Sequence, residues 1–422
     1  MVGYAIVGGT AALVTFAVTF LMRWLAPRVG AVAMPGARSV HQEPTPTLGG
    51  AAMFAGLLAA MVVGSQLHQF RQMFRGSSEP LGILLAAGAM FAVGAIDDVR
   101  EVSPPAKIAG QVLSGSLLSV FGVTMLYFRV PFASFEYIVL SPDLASLLTI
   151  LGVVILANAI NLIDGLDGLA AGICAIAGLA LFLYADRLFK AGLLEGSNIG
   201  PLVAVVVVGV SVGFLPHNFN PARIFMGDAG AMLLGLLLAV TTITVGGRTA
   251  DQFSGQTYFF FAPLVIPIVI LGVPILDTAS SFARRLVRRQ SWSTADREHL
   301  HHRLMRLGHG PRRSVVILWL WTAVLSATAL VPTYTNRGNA LVPVALVALA
   351  LLLYSYFHPG VVAARRTGRE ARRAAAVGAG GSGDGDGVTA PVPGAPVTGG
   401  EAPATVAEVV DLETRRRAAG DR

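Results

Sequence analysis

Residues 158–168 read Asn-Ala-Ile-Asn-Leu-Ile-Asp-Gly-Leu-Asp-Gly and directly follow an apolar run. Bare carboxylates that faced lipid would be costly, so these acids must face another part of the protein or water. Helical spacing places Asn158, Asn161 and Asp164 on one face, and two glycines weaken the helix where Asp167 is presented. Helix capping by a single Asp or Asn is the alternative, but capping does not require four such residues. The stretch therefore predicts amides and acids that converge in one small space.

The composition indicates a polytopic membrane protein. Of 422 residues, 54% are hydrophobic and 13% are charged, and the mean hydropathy is +0.67, which excludes an ordinary soluble protein. The single cysteine, Cys174, excludes an intrachain disulfide and gives no indication of a redox or thiolate metal site. The net charge of +7 is mostly arginine, which points to membrane orientation and anionic lipid rather than to nucleic acid.

Apolar runs predict an all-α fold with about eleven transmembrane helices of about twenty residues each. Their approximate positions are 2–22, 48–66, 80–96, 107–126, 143–161, 168–185, 198–215, 229–246, 256–276, 314–332 and 340–357. The first run has no basic residue before it and Arg23 and Arg28 after it, the reverse of a secretory signal. It is expected to be an uncleaved span whose amino end lies outside.

The distribution of basic residues predicts which side of the membrane carries the chemistry. Connections on one side, together with residues 358–373, hold twenty arginines and lysines, whereas the opposite connections hold seven. This asymmetry places the first set in the cytoplasm. The polar stretches that then face the cytoplasm are 45–50, 97–101, 161–168, 217–228 and 284–313. Five polar stretches on one side predict a single active site on the cytoplasmic face.

The chain divides into two parts by composition. Residues 1–360 are expected to form the transmembrane domain, and residues 361–422 a basic and then disordered cytoplasmic tail rich in Gly, Ala, Pro and Val. The sequence has no internal repeat of the kind found in solute carriers.

Two adjacent acids, Asp97 and Asp98, close the third predicted span. Like charges repel at this distance unless a cation or water relieves the pair, which suits a metal site or a proton acceptor. An ordinary polar helix end balanced by Arg100 and Lys107 is the alternative.

A further acid, Asp228, stands just before the eighth predicted span. It is a natural helix N-cap, and helix starts also attract phosphate, so the two roles are compatible. Asn218 reaches the same space only if the loop containing Pro221 folds back. Because Mg²⁺ is bound by a few carboxylates together with phosphate oxygens, these acids offer enough ligands for it.

Residues 298–303 read Glu-His-Leu-His-His-Arg and lack the helical two-histidine spacing of a zinc site. Their arginine neighbours suit a phosphate or nucleotide, and a solvated basic loop is the alternative. The basic helical face over residues 284–289 is expected to contact anionic headgroups. Residues 44–50, Pro-Thr-Pro-Thr-Leu-Gly-Gly, form a stiff start to the second span, with glycines that permit close backbone approach.

Taken in order, these pieces resemble the polyprenyl-phosphate N-acetylhexosamine-1-phosphate transferases of glycosyltransferase family 4. These are membrane enzymes that start bacterial cell-envelope glycan assembly. The similarity spans residues 41–309, and its most specific parts are residues 158–168 and Ile-Phe-Met-Gly-Asp at residues 224–228.

The resemblance implies a reaction, a cofactor and a location. GlcNAc-1-phosphate moves from UDP-GlcNAc to a polyprenyl phosphate, UMP leaves, and Mg²⁺ is required, with Mn²⁺ as a substitute. The expected location is the bacterial inner membrane, crossed many times. Dimerisation is left open, and nucleic acid is not an expected partner.

The resemblance also implies roles for individual residues. The catalytic residues are Asp97, Asp98, Asp164 and Asp167, and the metal ligands are Asp228, Asp97 and Asp98. The substrate-binding residues are Asn161, Asn218, His299, His301, His302, Arg303, His41 and Thr47.

Two motifs separate the branches of this superfamily. The branch that uses UDP-MurNAc-pentapeptide has three consecutive histidines after Pro-Leu, whereas this chain has His-Leu-His-His-Arg, and Val-His-Gln before Pro-Thr-Pro-Thr, as in the UDP-GlcNAc branch. One departure is Ala231, where a serine often follows Gly-Asp-x-Gly. A phospho-MurNAc-pentapeptide transferase is the nearer alternative, and a secondary transporter with acids as proton relays the distant one.

Overall fold

The computed structural model describes residues 1–35, 43–128, 138–248, 265–287, 303–305, 307, 309–335 and 338–357. The helices are α1 (Val2–Leu25), α2 (Gly49–Gln66), α3 (Arg71–Gly76), α4 (Glu79–Val99), α5 (Pro104–Val120), α6 (Pro142–Ile163), α7 (Leu169–Lys190), α8 (Gly200–Asn218), α9 (Gly227–Gly246), α10 (Val265–Ile270), α11 (Gly272–Val287), α12 (Pro311–Thr335) and α13 (Leu341–Phe357). Two antiparallel pairs of short strands complete it: β1 (Val32–Ala33) with β2 (Thr45–Pro46), and β3 (Tyr127–Phe128) with β4 (Ile138–Val139).

The prediction of a helical, polytopic membrane protein is confirmed. Within the described residues, eight helices are long and apolar enough to cross a membrane: α1, α2, α4, α6, α7, α8, α9 and α12. Two more predicted spans correspond to α5 and α13, which have 17 residues each. The total of eleven spans stays a prediction. The domain boundary also stays a prediction, because residues 361–422 lie outside the described part.

The ninth predicted span, 256–276, differs from the structure in its described part. Helix α10 ends at Ile270, and α11 begins at Gly272 and continues to Val287, well past the predicted end. Pro274 fits this break because it lies in the first turn of α11. Backbone N–H groups there have no partner within the helix, so the N–H that proline lacks is not needed. The extension escaped the hydropathy pattern because α11 buries its polar face: Asp277 is 1% exposed, whereas Phe282 is 60% exposed.

Helix α9 is the centre of the bundle. All residues from Ala229 to Gly246 are buried and most of them are apolar, which is typical of a helix surrounded by others. Helices α2, α4, α6 and α8 pack around it. At its carboxyl end, Arg248 forms a 2.5 Å ion pair with Glu79 at the start of α4. Its amino end, which carries Asp228, therefore meets the opposite end of α4, where Asp97 and Asp98 lie.

Glycines bring two helices against the first turn of α9. A Cβ atom on Gly94 of α4 would collide with the backbone of Ala229, and one on Gly50 of α2 would collide with the backbone nitrogen of Gly230. The Gly50 N–H also donates to the Met226 carbonyl at 2.8 Å. The close backbone approach predicted for residues 44–50 is confirmed. It fixes the first turn of α9 and therefore the position of Asp228, which lies in that turn.

Candidate functional site

Four helix ends place polar side chains around one carboxylate oxygen. Lys107 in the first turn of α5 lies with its Nζ atom 2.6 Å from Asp97 Oδ2 and 2.7 Å from Asp228 Oδ2. From the last turn of α6, Asn161 Nδ2 donates to the same Asp228 oxygen at 3.1 Å. The structure thus brings together Asp97, Asn161 and Asp228, which are far apart in the sequence, and adds Lys107.

Lys107 is the site residue that the sequence analysis did not select. There it was only a counter-charge at a helix end, yet its ammonium group bridges two carboxylates and its side chain is only 27% exposed. The signal was present in the sequence, because Lys107 follows Asp98 by only nine residues, which is too few to cross the membrane, so both residues lie at the same end of the bundle.

Asp98 has a different environment from its neighbour Asp97. Its Oδ1 accepts the backbone N–H of Asp228 at 2.7 Å, and its Oδ2 accepts that of Ala229 at 3.3 Å. Asp98 therefore caps the first turn of α9 from another helix, a favourable place for negative charge. Asp97 instead accepts the Val102 N–H at 2.8 Å and pairs with Lys107. The repulsion between adjacent acids is relieved because each has its own partners.

Asp164 is the residue directly after α6. Loss of water around this carboxyl group raises the pKa of Asp164 to about 8, and the negative charges of Asp228, Asp98 and Asp167 raise it further. A cation bound among these acids would favour the ionised form of Asp164.

Asp167 and Asn218 fasten the connections next to the acids. Asp167 Oδ2 accepts hydrogen bonds from Asn220 Nδ2 at 2.8 Å and from the Ala222 N–H at 3.0 Å. Asn218 accepts the Gly168 N–H and donates to the Ile224 carbonyl, both at 3.0 Å. The loop that contains Pro221 therefore folds back, as the prediction for Asn218 required.

Asn158 lies one turn deeper than Asn161 and does not contact Asp228. Its Nδ2 atom donates to Gln111 Oε1 at 2.7 Å. The shared face expected for Asn158, Asn161 and Asp164 therefore divides into a layer at the helix ends and a layer beneath it.

The remaining predicted site residues are only partly described. Thr47 is 9% exposed, its N–H donates to the Ala31 carbonyl at 3.0 Å, and its hydroxyl forms no hydrogen bond with any described residue. Arg303 lies exposed in a short helical turn. His41, His299, His301 and His302 lie outside the described residues, so their roles stay predictions.

The donor set fits a hard divalent cation. Among the residues that the structure describes, no three carboxylate, imidazole or thiol groups are arranged to hold a metal ion. The Lys107 ammonium stands between Asp97 and Asp228, where two negative charges need a positive one. Carboxylate and amide oxygens are the ligands that Mg²⁺ accepts, and Mg²⁺ completes its shell with water and phosphate oxygens. Asp97 and Asp228 are therefore the described residues that could contribute oxygen ligands to such a cation.

Comparison with known proteins identifies relatives that match most of the chain. The model of glycosyl transferase family 4 matches residues 80–246. The chain is 37% identical over 353 residues to the decaprenyl-phosphate N-acetylglucosaminephosphotransferase of Mycobacterium tuberculosis, covering 82% of this chain and 87% of the relative. It is 33% identical over 320 residues to a probable undecaprenyl-phosphate N-acetylglucosaminyl 1-phosphate transferase of Bacillus subtilis, covering 76% and 82%. An undecaprenyl-phosphate alpha-N-acetylglucosaminyl 1-phosphate transferase of Escherichia coli is 28% identical over 342 residues, covering 80% and 86%.

Proposed function

Because this chain belongs to glycosyl transferase family 4, we propose that it transfers GlcNAc-1-phosphate from UDP-GlcNAc to a polyprenyl phosphate. The products are polyprenyl-diphospho-GlcNAc and UMP, and the reaction is the first membrane step of cell-envelope glycan synthesis. The observation that carries this proposal is the junction of Asp97, Lys107, Asn161 and Asp228 at the ends of four helices.

The reaction needs charge neutralisation more than covalent chemistry by the protein. An oxygen of the lipid phosphate attacks the β-phosphorus of UDP-GlcNAc, and the bond from that phosphorus to the bridging oxygen breaks, so that UMP leaves with the electron pair. Positioning and electrostatic stabilisation dominate phosphoryl transfer. Lys107 provides a cation at this place, and Asn161 orients the Asp228 carboxylate through its amide hydrogen bond.

We assign Asp228 and Asp97 as the residues that would hold Mg²⁺, with Mn²⁺ as a substitute. When bound, the ion supplies positive charge to the pyrophosphate oxygens. We do not assign Asp98 as a metal ligand, although the resemblance implies that role, because both of its oxygens accept backbone N–H groups of α9. Its role in this scheme is to hold Asp228 in place.

We favour one direct displacement. Of the two aspartates that could accept a proton from the acceptor phosphate, Asp97 is the better placed, because both oxygens of Asp98 already accept backbone N–H groups. A two-step route through a phosphorylated aspartate would use the same residues. Incubating the enzyme with UDP-GlcNAc and no lipid acceptor separates the two, because a sugar-phosphate adduct on the protein would contradict the direct route.

The donor is tested with purified protein, Mg²⁺ and a polyprenyl phosphate. UMP release is measured with either UDP-GlcNAc or UDP-MurNAc-pentapeptide. We expect release with UDP-GlcNAc, as the names of the relatives indicate for those proteins. Release with only the peptide-bearing donor would overturn the proposal.

A transporter would place its acids at mid-membrane, whereas these acids lie at helix ends. The sequence leaves dimerisation open, and the mass of the detergent-solubilised particle would measure it.

We propose further that the amino terminus lies outside a bacterial inner membrane and that the site faces the cytoplasm. The chain offers a simple test, because its one cysteine, Cys174, is buried and can be replaced by alanine. Single cysteines are then placed at Ser103, at the site end, and at Ala191, after α7 at the other end. An impermeant maleimide is expected to label Ala191→Cys in intact cells and Ser103→Cys only after permeabilisation. The reverse pattern would contradict this orientation.

The raised pKa of Asp164 predicts how Mg²⁺ stabilisation depends on pH. The unfolded carboxyl group loses its proton near its ordinary pKa of 3.8 and the folded one near 8, so Asp164 lowers metal-free stability as pH rises between these values. Bound Mg²⁺ favours the ionised form, so it should raise the thermal unfolding midpoint more at about pH 8.5 than at about pH 6. Asp164→Asn should reduce this difference. An equal Mg²⁺ effect at both pH values in the parent protein would contradict the prediction.

A further inference from the structure

A second polar layer lies beneath the site, between α5, α6 and α9. Gln111 on α5 is fully buried, and its Oε1 accepts the hydrogen bond from Asn158 of α6 at 2.7 Å. Asn158 Nδ2 also donates to the Val154 carbonyl one turn earlier at 2.7 Å. Gln111 Nε2 donates to Met232 Sδ on α9 at 3.3 Å. The layer therefore links the same three helices as the contacts of Lys107 and Asn161 with Asp228.

The two layers are in helical register. Gln111 follows Lys107 by four residues on α5, and Asn158 precedes Asn161 by three on α6. On α9, Met232 follows Asp228 by four residues. Residues three or four apart on a helix lie on the same face, one turn from each other. Each member of the buried layer is thus directly beneath its counterpart in the site.

Buried amides need a reason in the interior of a membrane bundle. An amide there is costly unless it is hydrogen-bonded, and apolar side chains would fill the same space without that requirement. An amide pair adds geometric specificity, because its hydrogen bond forms only when the two helices have one particular axial offset. The site above requires such an offset, since Lys107 and Asn161 approach one oxygen of Asp228 from two different helices.

We propose that Gln111 and Asn158 are positioning residues whose hydrogen bond fixes the register of α5 against α6. In this register both Lys107 and Asn161 reach Asp228 Oδ2. The inference deepens the proposed function and rests on it. Neither residue touches the reacting atoms, so the effect on turnover passes through the site residues one turn away.

The same helix pair provides a matched control. Ser119 Oγ of α5 donates to Ser146 Oγ of α6 at 2.7 Å, two turns beyond Gln111. Ser119→Ala removes a polar bridge from the same interface without changing the buried amide layer. A purely structural role for such bridges predicts similar effects of Ser119→Ala and of substitutions in the layer.

The test compares Gln111→Met, Asn158→Leu, Ser119→Ala and the exchanged pair Gln111→Asn with Asn158→Gln. For Gln111→Met and Asn158→Leu we expect kcat to fall by about 10–100-fold per folded enzyme, with the KM for UDP-GlcNAc changed less than about threefold. The Mg²⁺ concentration that gives half-maximal thermal stabilisation should rise by a similar factor. The exchanged pair should recover most of the kcat, and Ser119→Ala should retain it.

Two results would overturn the inference. One is an unchanged kcat in the folded single variants, and the other is an equal loss in Ser119→Ala. If a single variant does not fold, the exchanged pair decides, because it keeps both amides: a folded but inactive exchanged pair contradicts register control. Absence of UMP release by the parent protein would instead reject the proposed function. The Mg²⁺ concentration for half-maximal thermal stabilisation, compared between the variants and the parent protein, would then still test the role of Gln111 and Asn158.

Discussion

Asp228→Asn is expected to lower kcat by at least about 1,000-fold, since loss of even one neutral donor to developing charge costs about 10²–10³ in kcat. Asp228 is the only described acid whose oxygen contacts both Lys107 and Asn161, so the site loses its central charge. Asparagine has nearly the same shape, and its backbone N–H can still donate to Asp98. The helix start should therefore persist. UMP release from UDP-GlcNAc measures turnover, and thermal unfolding measures the folded fraction.

Asp186→Asn is the matched control for this substitution. Asp186 also pairs with a lysine, Lys190, at 2.7 Å, and its side chain is 13% exposed, but it lies near the end of α7 opposite the site. Loss of this ion pair should leave kcat within about twofold, since such pairs contribute little to stability. Full activity of Asp228→Asn, or an equal loss in Asp186→Asn, would contradict the proposed role of Asp228 as the central ligand.

Helix ends were predictable from the sequence because apolar runs stop where polar clusters begin. That rule placed Asp97, Asp164 and Asp228 at helix ends, and the structure brings these ends together. The partners of each side chain were not predictable, because they depend on rotation of each helix about its axis. Adjacent aspartates show this limit: Asp97 pairs with Lys107, whereas Asp98 caps α9.

Hydropathy also fails where a helix buries its polar face. Helix α11 extends beyond the ninth predicted run because Asp277 and Ser281 are buried and Phe282 faces outward. Gln111 was overlooked for a similar reason: a lone amide within an apolar segment has no periodicity to mark it. Both cases concern polar groups whose partners lie on other helices, which a single-sequence pattern does not record.

Gly227→Ala is expected to lower kcat by about 100-fold, because misplacement by about 1 Å can cost about 10²-fold in rate. Gly227 has φ +69°, and a Cβ atom there would collide with the Asp98 carboxylate. The collision must displace either Asp98 or the first turn of α9, and both hold Asp228. The substitution introduces no charge and leaves the side chains of Lys107 and Asn161 unchanged, so the loss would report the positions of Asp98 and Asp228. Turnover per folded enzyme and the Mg²⁺ dependence of thermal unfolding measure it.

Gly192→Ala separates backbone strain from this collision. Gly192 has φ +73°, so alanine there carries the same left-handed strain of about 1–2 kcal/mol, but no atom beyond the two adjacent residues lies within 4 Å of its Cβ position. We expect Gly192→Ala to lower the unfolding midpoint and to keep the kcat of the parent protein. Gly227→Ala should lower both the unfolding midpoint and kcat. Equal kcat values in the two variants would mean that Asp98 does not position the start of α9. Because Gly227 and Asp98 come from different helices, a loss confined to Gly227→Ala would show that the contact between α4 and α9 sets the geometry of the site.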